Sequence, residues 1–289
     1  MDRPRRILDR LRPERRTDVP ENGRRGQGQV ELPGASASHL RPDDRSLRRR
    51  SVDPGWPTRD RAVEKGVSMS EHERELAGAQ REHWQRTYGE HPGMYGEEPS
   101  EPAVHAARVF RAAGARQVLE LGAGHGRDAV YFAREGFTVQ ATDFSPVGLE
   151  QLHEAAGAHG VAERVATAVH DVREPLPLAD GSVDAVFAHM LLCMALSTKE
   201  IHALVGEVRR VLRPGGVFVY TVRHTGDAHY GAGTGHGDDI WEHGGFAVHF
   251  FPRDLVDALA DGWQSQEVHP FEEGDLPRRL WRVTQTLPR

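Results

Sequence analysis

Val118-Leu119-Glu120-Leu121-Gly122-Ala123-Gly124-His125-Gly126-Arg127-Asp128 is the stretch that decides the fold. Gln117 to Leu121 reads as a short apolar strand, followed by a turn with three alternate glycines and a helix ending at Gly136. Alternate glycines let the backbone turn sharply and approach a ligand with no Cβ in the way. The helix N-terminus behind them offers free amide hydrogens. The dinucleotide fingerprint G-x-G-x-x-G needs glycine at position 127, where Arg127 stands. A carboxylate just before the glycines, Glu120, suits a cationic amino group better than a pyrophosphate.

Outward from this turn, helices alternate with strands. Glu71 to Tyr88 reads as a helix, and Ser100 caps a second one reaching about Ala113. Phe137 to Thr142 is the second strand; Ser145 and Pro146 then open a helix to about Ala158 as N-cap and first residue. Arg164–His170 and Val183–Ala188 are further strands. Ser197 and Glu200 form a capping box for a helix whose apolar face is Ile201, Leu204, Val205, Val208 and Leu212. Pro214-Gly215-Gly216 stops it, and Val217–Val222 is the fifth strand. A helix at Arg253–Ala260 and strands near Gln264–Val268 and Leu280–Thr286 complete the chain. The fold class this predicts is α/β, a doubly wound sheet with helices on both faces.

In such a sheet a ligand binds at the carboxyl ends of the strands, where the winding reverses. The second strand ends at Asp143, whose side chain can accept from both hydroxyls of a ribose, with Phe144 beside it for a nucleobase. The third ends at His170-Asp171-Val172, where Asp171 can accept from an exocyclic amine. Singly, each acidic residue reads equally well as a cap or turn former. Three in succession on three strand ends do not.

With these residues in hand, the sequence resembles the class I S-adenosylmethionine-dependent methyltransferases. The likeness rests on Val118–Gly126, Ala141-Thr-Asp-Phe-Ser145, His170-Asp-Val172, Val183-Asp-Ala-Val-Phe187 and Val211-Leu-Arg-Pro-Gly-Gly216, and it spans about residues 80–287. It implies a Rossmann-like seven-stranded sheet with the last strand antiparallel, and S-adenosyl-L-methionine as cofactor. By that similarity Gly122, Gly124 and Gly126 hold the methionine end, with Glu120 near the ammonium. Asp143 holds the ribose, flanked by Phe144, and Asp171 with the Val172 amide holds the adenine.

Methyl transfer asks the protein mainly to position the acceptor and exclude water. The acceptor belongs beyond the fourth and fifth strands, which carry Ala188-His189-Met190-Leu191 and Arg223-His224-Thr225. Methyltransferases that act on amino nitrogens of nucleic-acid bases carry an Asn/Asp-Pro-Pro-aromatic turn after the fourth strand. This chain has Ala188-His-Met-Leu there, which favours a small-molecule acceptor, with no nucleic acid and no membrane as partner. In layout the domain resembles the thiopurine and tellurite-resistance type, whose N-terminal segment closes over the cofactor; Trp84, Tyr88 and Tyr95 read equally well as that cover and as packing of the first helix onto the sheet. The stretch from Arg223 to Phe251 holds five histidines and seven glycines and reads as a loop over the acceptor. His189, His224 and Tyr230 are the candidates for catalytic contact with the acceptor. No tight ligand spacing such as H-E-x-x-H is present, so the reading includes no metal.

Charge divides the chain. Residues 1–68 carry a balance of +6 and only 11 Leu, Ile, Val or Phe, too few for a core, whereas residues 69–289 carry −12. The expectation is a disordered arginine-rich extension, inert or foreign to the natural protein, before a single domain that opens near Met69. The negative folded part is unsuited to phosphate backbones. No run approaches 18 apolar residues, and the single cysteine, Cys193, excludes an internal disulfide, so the chain is read as cytoplasmic. Two other functions compete with small-molecule methyl transfer: action on RNA or protein with the basic arm as tether, and a cofactor-binding sensor without turnover.

Overall fold

Helices α1 (Glu71–Glu90) and α2 (Glu101–Ala112) precede strand β1 (Gln117–Leu121). In alternation follow α3 (Arg127–Arg134), β2 (Thr138–Asp143), α4 (Pro146–Ala158), β3 (Val165–Val169), β4 (Val183–His189), α5 (Thr198–Val211) and β5 (Leu212–Arg223). Three short strands come next, β6 (Thr234–Gly237), β7 (Ile240–His243) and β8 (Phe246–His249). Helix α6 (Arg253–Ala258) and strands β9 (Ser265–Glu273) and β10 (Arg278–Thr286) end the chain. The computed structural model describes residues 69–274 and 278–289, so the expected extension at 1–68 lies outside the described residues.

The main sheet has the order β3-β2-β1-β4-β5-β10-β9. Strands β3 through β5 run parallel, and β10 is antiparallel to both of its neighbours. The sheet is therefore seven-stranded with its last strand reversed. Winding changes direction between β1 and β4, which opens a crevice at their carboxyl ends.

Both faces of this sheet are covered, which explains why its strands are nearly continuous apolar runs. Leu119, Leu121, Val186, Phe218 and Tyr220 pack with Ile201, Leu204 and Val208 of α5 and Val256 of α6. Val118, Phe187 and Val219, one residue out of step, pack with Phe110 of α2, Phe132 of α3 and Leu152 of α4. The period-two alternation along each strand thus feeds two separate apolar layers.

Local chemistry sets the helix starts. Ser197 and Glu200 form a reciprocal capping box on α5, Ser70 and Glu73 form one on α1, and Ser145 caps α4 through the Gly148 amide. Between Arg223 and Phe251 the expected loop is instead a three-stranded antiparallel sheet, β6-β7-β8. Asp238-Asp239 and Gly244-Gly245 join its strands, and all four residues have positive φ. Two-residue turns with positive φ at both positions match the twist of the flanking strands. Strand β5 begins earlier than expected, because Leu212 already pairs with Val183 and the Pro214-Gly215-Gly216 stretch is taken up as an irregularity in register. Strand β9 is longer than expected, since an exposed edge strand needs no apolar alternation.

Gly126 joins turn to helix: it is the N-cap of α3 with φ 89°, and a Cβ there runs into the Leu152 side chain. Gly126→Ala is expected to cost about 1–3 kcal/mol of stability, the price of a strained backbone before any clash with Leu152. A urea denaturation midpoint equal to that of the parent chain would contradict this constraint.

Candidate functional site

Glu120 is the last but one residue of β1 and is almost fully buried; its Oε2 has no hydrogen-bond partner among the described residues. Desolvation pushes this carboxyl well above its ordinary value of 4.5, and the neighbouring Asp128 and Asp143 push in the same direction. An orphaned buried carboxylate is costly unless something cationic or donating completes it. Directly after it Gly122, Gly124 and Gly126 have φ values of 72°, 54° and 89°. The Gly122 and Ala123 amides both donate to the Thr142 carbonyl, at 2.8 and 3.0 Å, tying the turn to the end of β2.

Asp143 sits at that end. Its Oδ2 accepts from the Gly124 amide at 2.9 Å and its Oδ1 from the Ser145 amide at 2.8 Å. Burial raises its pKa, while these amides and that of Phe144 work the other way. One carboxylate therefore fixes the glycine turn and the start of α4 together. His170 donates its amide to the Asp143 carbonyl at 2.9 Å, which brings the end of β3 alongside. Next in line, Asp171 accepts at Oδ1 from the Arg173 amide at 3.1 Å, and Val172 packs against the α5-side core.

At the other side of the crevice His189 closes β4. Its Nδ1 lies 2.8 Å from the hydroxyl of Thr221 on β5, and its Nε2 lies 3.3 Å from Oε1 of Glu273 on β9. The buried Thr221 hydroxyl accepts from the Met190 amide at 2.9 Å. The Glu273 carboxylate can only accept, which assigns the ring proton to Nε2 and leaves Nδ1 to the Thr221 hydroxyl. Glu273 also meets Arg278 at 3.3 Å. The His189 hydrogen bond and the His189 and Arg278 charges outweigh its desolvation and hold its carboxyl down at about 2. Leu191, two residues after His189, packs against Gly122.

Residues 118–216 match the family model of a methyltransferase domain. Over 109 residues it is 32% identical to the uncharacterized methyltransferase sll0829 of Synechocystis, covering 38% of this chain and 48% of that protein. Over 112 residues it is 37% identical to the human thiol S-methyltransferase TMT1B, covering 38% of this chain and 43% of that one. The chain thus spans less than half the length of these relatives. In fold it is similar to the Burkholderia thailandensis 1,6-didemethyltoxoflavin-N1-methyltransferase, solved with 1,6-didemethyltoxoflavin and S-adenosylhomocysteine. That likeness has a TM-score of 0.53 at 18% identity and covers 81% of this chain and 100% of that one.

The methyltransferase domain match stops short of α1, yet α1 roofs the glycine turn. Tyr88 is buried, and its hydroxyl lies 2.5 Å from where a Cβ on Gly124 would stand. Trp84 stacks at a tilt on Tyr88 and meets Phe246 of β8 edge-on, while Gln80 donates to the Gly245 carbonyl at 2.7 Å. Arg81 reaches across to Asp171 and lies over the Phe144 ring. Tyr95 stacks on His125 within the turn, with centroids 5.7 Å apart. The three aromatics singled out in the sequence therefore lie on one side of the crevice.

His224 and Tyr230 have other partners. His224 stacks on Trp281 at 4.6 Å and its Nδ1 accepts from the Gly226 amide. Tyr230 donates to Asp239 at 2.6 Å in the turn between β6 and β7, with Trp241 and Phe250 against its ring. Neither touches the glycine turn, Asp143 or the His189 group. Cys193 is buried, and that burial pushes its thiol up to about 11. Among the described residues no group of three or more His, Cys, Asp or Glu is arranged to hold a metal ion.

Glu273, Thr221 and Arg81 are the residues that the sequence did not disclose. Glu273 stands beside Glu272 in a polar edge strand and reads as solvated surface. It reaches His189 from the end of β9, where it pairs with Arg278 of β10.

Glu120 makes the domain less stable as pH rises. A carboxyl whose folded pKa lies above its unfolded one binds more protons when folded, so stability falls as pH climbs from about 4.5 toward the folded value. In Glu120→Gln that titration is absent. The difference in Tm between Glu120→Gln and the parent is expected to grow in favour of the variant from pH 4 to pH 7. A difference independent of pH would mean that Glu120 is not a titrating buried carboxyl.

Proposed function

We propose that the chain transfers a methyl group from S-adenosylmethionine to a small-molecule acceptor. The buried Glu120 carboxylate carries this reading, because its free Oε2 lies at the mouth of a glycine cradle and fits the ammonium of the cofactor. Asp143, already aimed by two amides, would hold the ribose hydroxyls, with Phe144 beside the base. Asp171 and the Val172 amide would hold the adenine. When bound, the cofactor supplies a methyl group on a sulfonium, activated for in-line displacement.

The rest falls to the chain's own residues. Tyr88 and Trp84 keep water from the glycine turn. His189 stands on the acceptor side, its ring fixed by Thr221 and its Nε2 proton facing Glu273. Both ring nitrogens are thereby engaged, so His189 serves to position the acceptor rather than to take its proton. His224 and Tyr230 fit as supports of the β6–β8 sheet that borders the acceptor side, His224 through Trp281 and Tyr230 through Asp239.

Enclosure supports a small acceptor over a macromolecule. α1 and the β6–β8 sheet close over the strand ends from two sides, and the folded residues are net negative. The test is transfer of labelled methyl from S-adenosylmethionine into a fractionated cell extract, with chains starting at Met1 and at Met69. Label in the low-mass fraction with both chains is the expected result. Label in RNA or protein, lost when residues 1–68 are removed, would overturn it. A narrower check is Asp143→Ala, which should weaken S-adenosylhomocysteine binding by about 1–3 kcal/mol, the size of a lost charge-assisted hydrogen bond. Equal affinity by calorimetry would refute the assignment of Asp143 to the ribose.

A further inference from the structure

Asp171, the residue assigned above to the adenine, has both carboxylate oxygens engaged by arginines. Oδ1 accepts from the Arg173 amide at 3.1 Å and from Arg173 Nη1 at 3.3 Å; Oδ2 accepts from Arg81 Nη2 at 2.5 Å. The two arginines are held very differently. Arg173 is 11% exposed, and its guanidinium is also bound to Glu200 Oε1 at 3.1 Å and to the Ala195 carbonyl at 2.9 Å. It is built into the loop. Arg81 is 46% exposed on the surface of α1, and among the described residues its guanidinium meets Asp171 and the face of Phe144, 5.7 Å from the ring centroid.

Phe144 and Asp171 are the residues that a nucleobase would meet, one by its face and the other by its amine. Arg81 satisfies the same two groups in the same way, with a flat cation over the ring and an N–H on the carboxylate. A guanidinium is a stronger donor to a carboxylate than a neutral amine, so Arg81 competes with a base for Oδ2 and for the Phe144 face. The neighbours of Arg81 add no other anion: Tyr88, Trp84 and Gln80 on the same helix face the glycine turn, Phe246 and Gly245.

We propose that Arg81 is a placeholder in the adenine subsite, a cation from α1 that occupies Asp171 and Phe144 until the base displaces it. The inference rests on the cofactor reading above and adds a component from outside the matched domain residues. Binding then exchanges one partner of Asp171 for another, and Arg81 lowers affinity for the cofactor while keeping the empty subsite paired. The cost of release is that of an ion pair half open to solvent, and it weakens with salt.

The experiment measures S-adenosylhomocysteine binding by isothermal titration calorimetry to the full chain and to two variants. Arg81→Met removes the cation and keeps an unbranched stem; Arg74→Met makes the same change about two turns earlier on α1, where the side chain donates to the Met69 carbonyl. Arg81→Met is expected to bind about two- to five-fold tighter than the parent, as befits a surface ion pair, and Arg74→Met the same as the parent. Raising salt should tighten binding to the parent and leave Arg81→Met flat. Weaker or unchanged binding in Arg81→Met, with the parent binding normally, overturns the placeholder and leaves the cofactor reading standing. Absence of binding in all three chains overturns the cofactor reading, and the placeholder with it. Circular dichroism of the variants checks that α1 is intact, so a weaker Arg81→Met is attributable to the lost cation.

Discussion

The carboxylate of Asp143 is the constraint on which the site depends. It accepts one amide from the glycine turn after β1 and another from the start of α4. Two adjacent strand ends are thereby locked at one height, and the turn holds three successive positive-φ glycines that no other residue type adopts without strain. Burial raises the energy of the ionised form, and the amides lower it again. The net effect is a raised pKa on an acceptor whose direction is set by backbone amides. Glu120, one strand over, has burial with no such relief. The two carboxylates are a few residues from each other across the sheet, one satisfied by the protein and one left for something else to complete.

That difference explains why the fold tolerates an expensive residue at the centre of its sheet. An apolar side chain at position 120 would extend the layer formed by Val118 and Phe187. The chain places an acid there instead, next to Asp128, whose carboxylate is spent on the Ser100 amide and hydroxyl that start α2. Stability forgone at one position and recovered at its neighbour is the pattern expected of a binding site rather than of a core.

Much of this was legible in the sequence because it is local. A strand that is apolar on both faces, followed by alternate glycines and a helix start, fixes its own geometry within a dozen residues, and Asp143 and Asp171 follow from their places at strand ends. The capping boxes at Ser197 and the N-cap at Ser145 are equally local. What escaped is of two kinds. The β6–β8 sheet was missed because its strands are four residues each and its glycines and histidines look like loop; the Asp238-Asp239 and Gly244-Gly245 turns were the available signal. Glu273 and Arg81 escaped because their partners are distant in the chain. Arg81 meets Asp171 across 90 positions, and no spacing rule links an arginine on a polar helix to an aspartate in a later loop.

The region outside the matched residues 118–216 is where this chain becomes particular. The matched part supplies the turn, Asp143, Asp171 and His189. The roof over them comes from α1, the acceptor border from β6–β8, and the anion beside His189 from β9. Each is held by few and specific contacts: Gln80 to the Gly245 carbonyl, Trp84 to Phe246, Glu273 to His189 and Arg278. A cofactor common to a large family needs a common cradle, whereas an acceptor is chosen by whatever encloses the remaining space. The space beside the cradle is bounded by α1, the β6–β8 sheet and the β9–β10 hairpin. The contacts of Asp143 are internal to the cradle, whereas the roof meets the cradle through Arg81 on Asp171 and Tyr95 on His125.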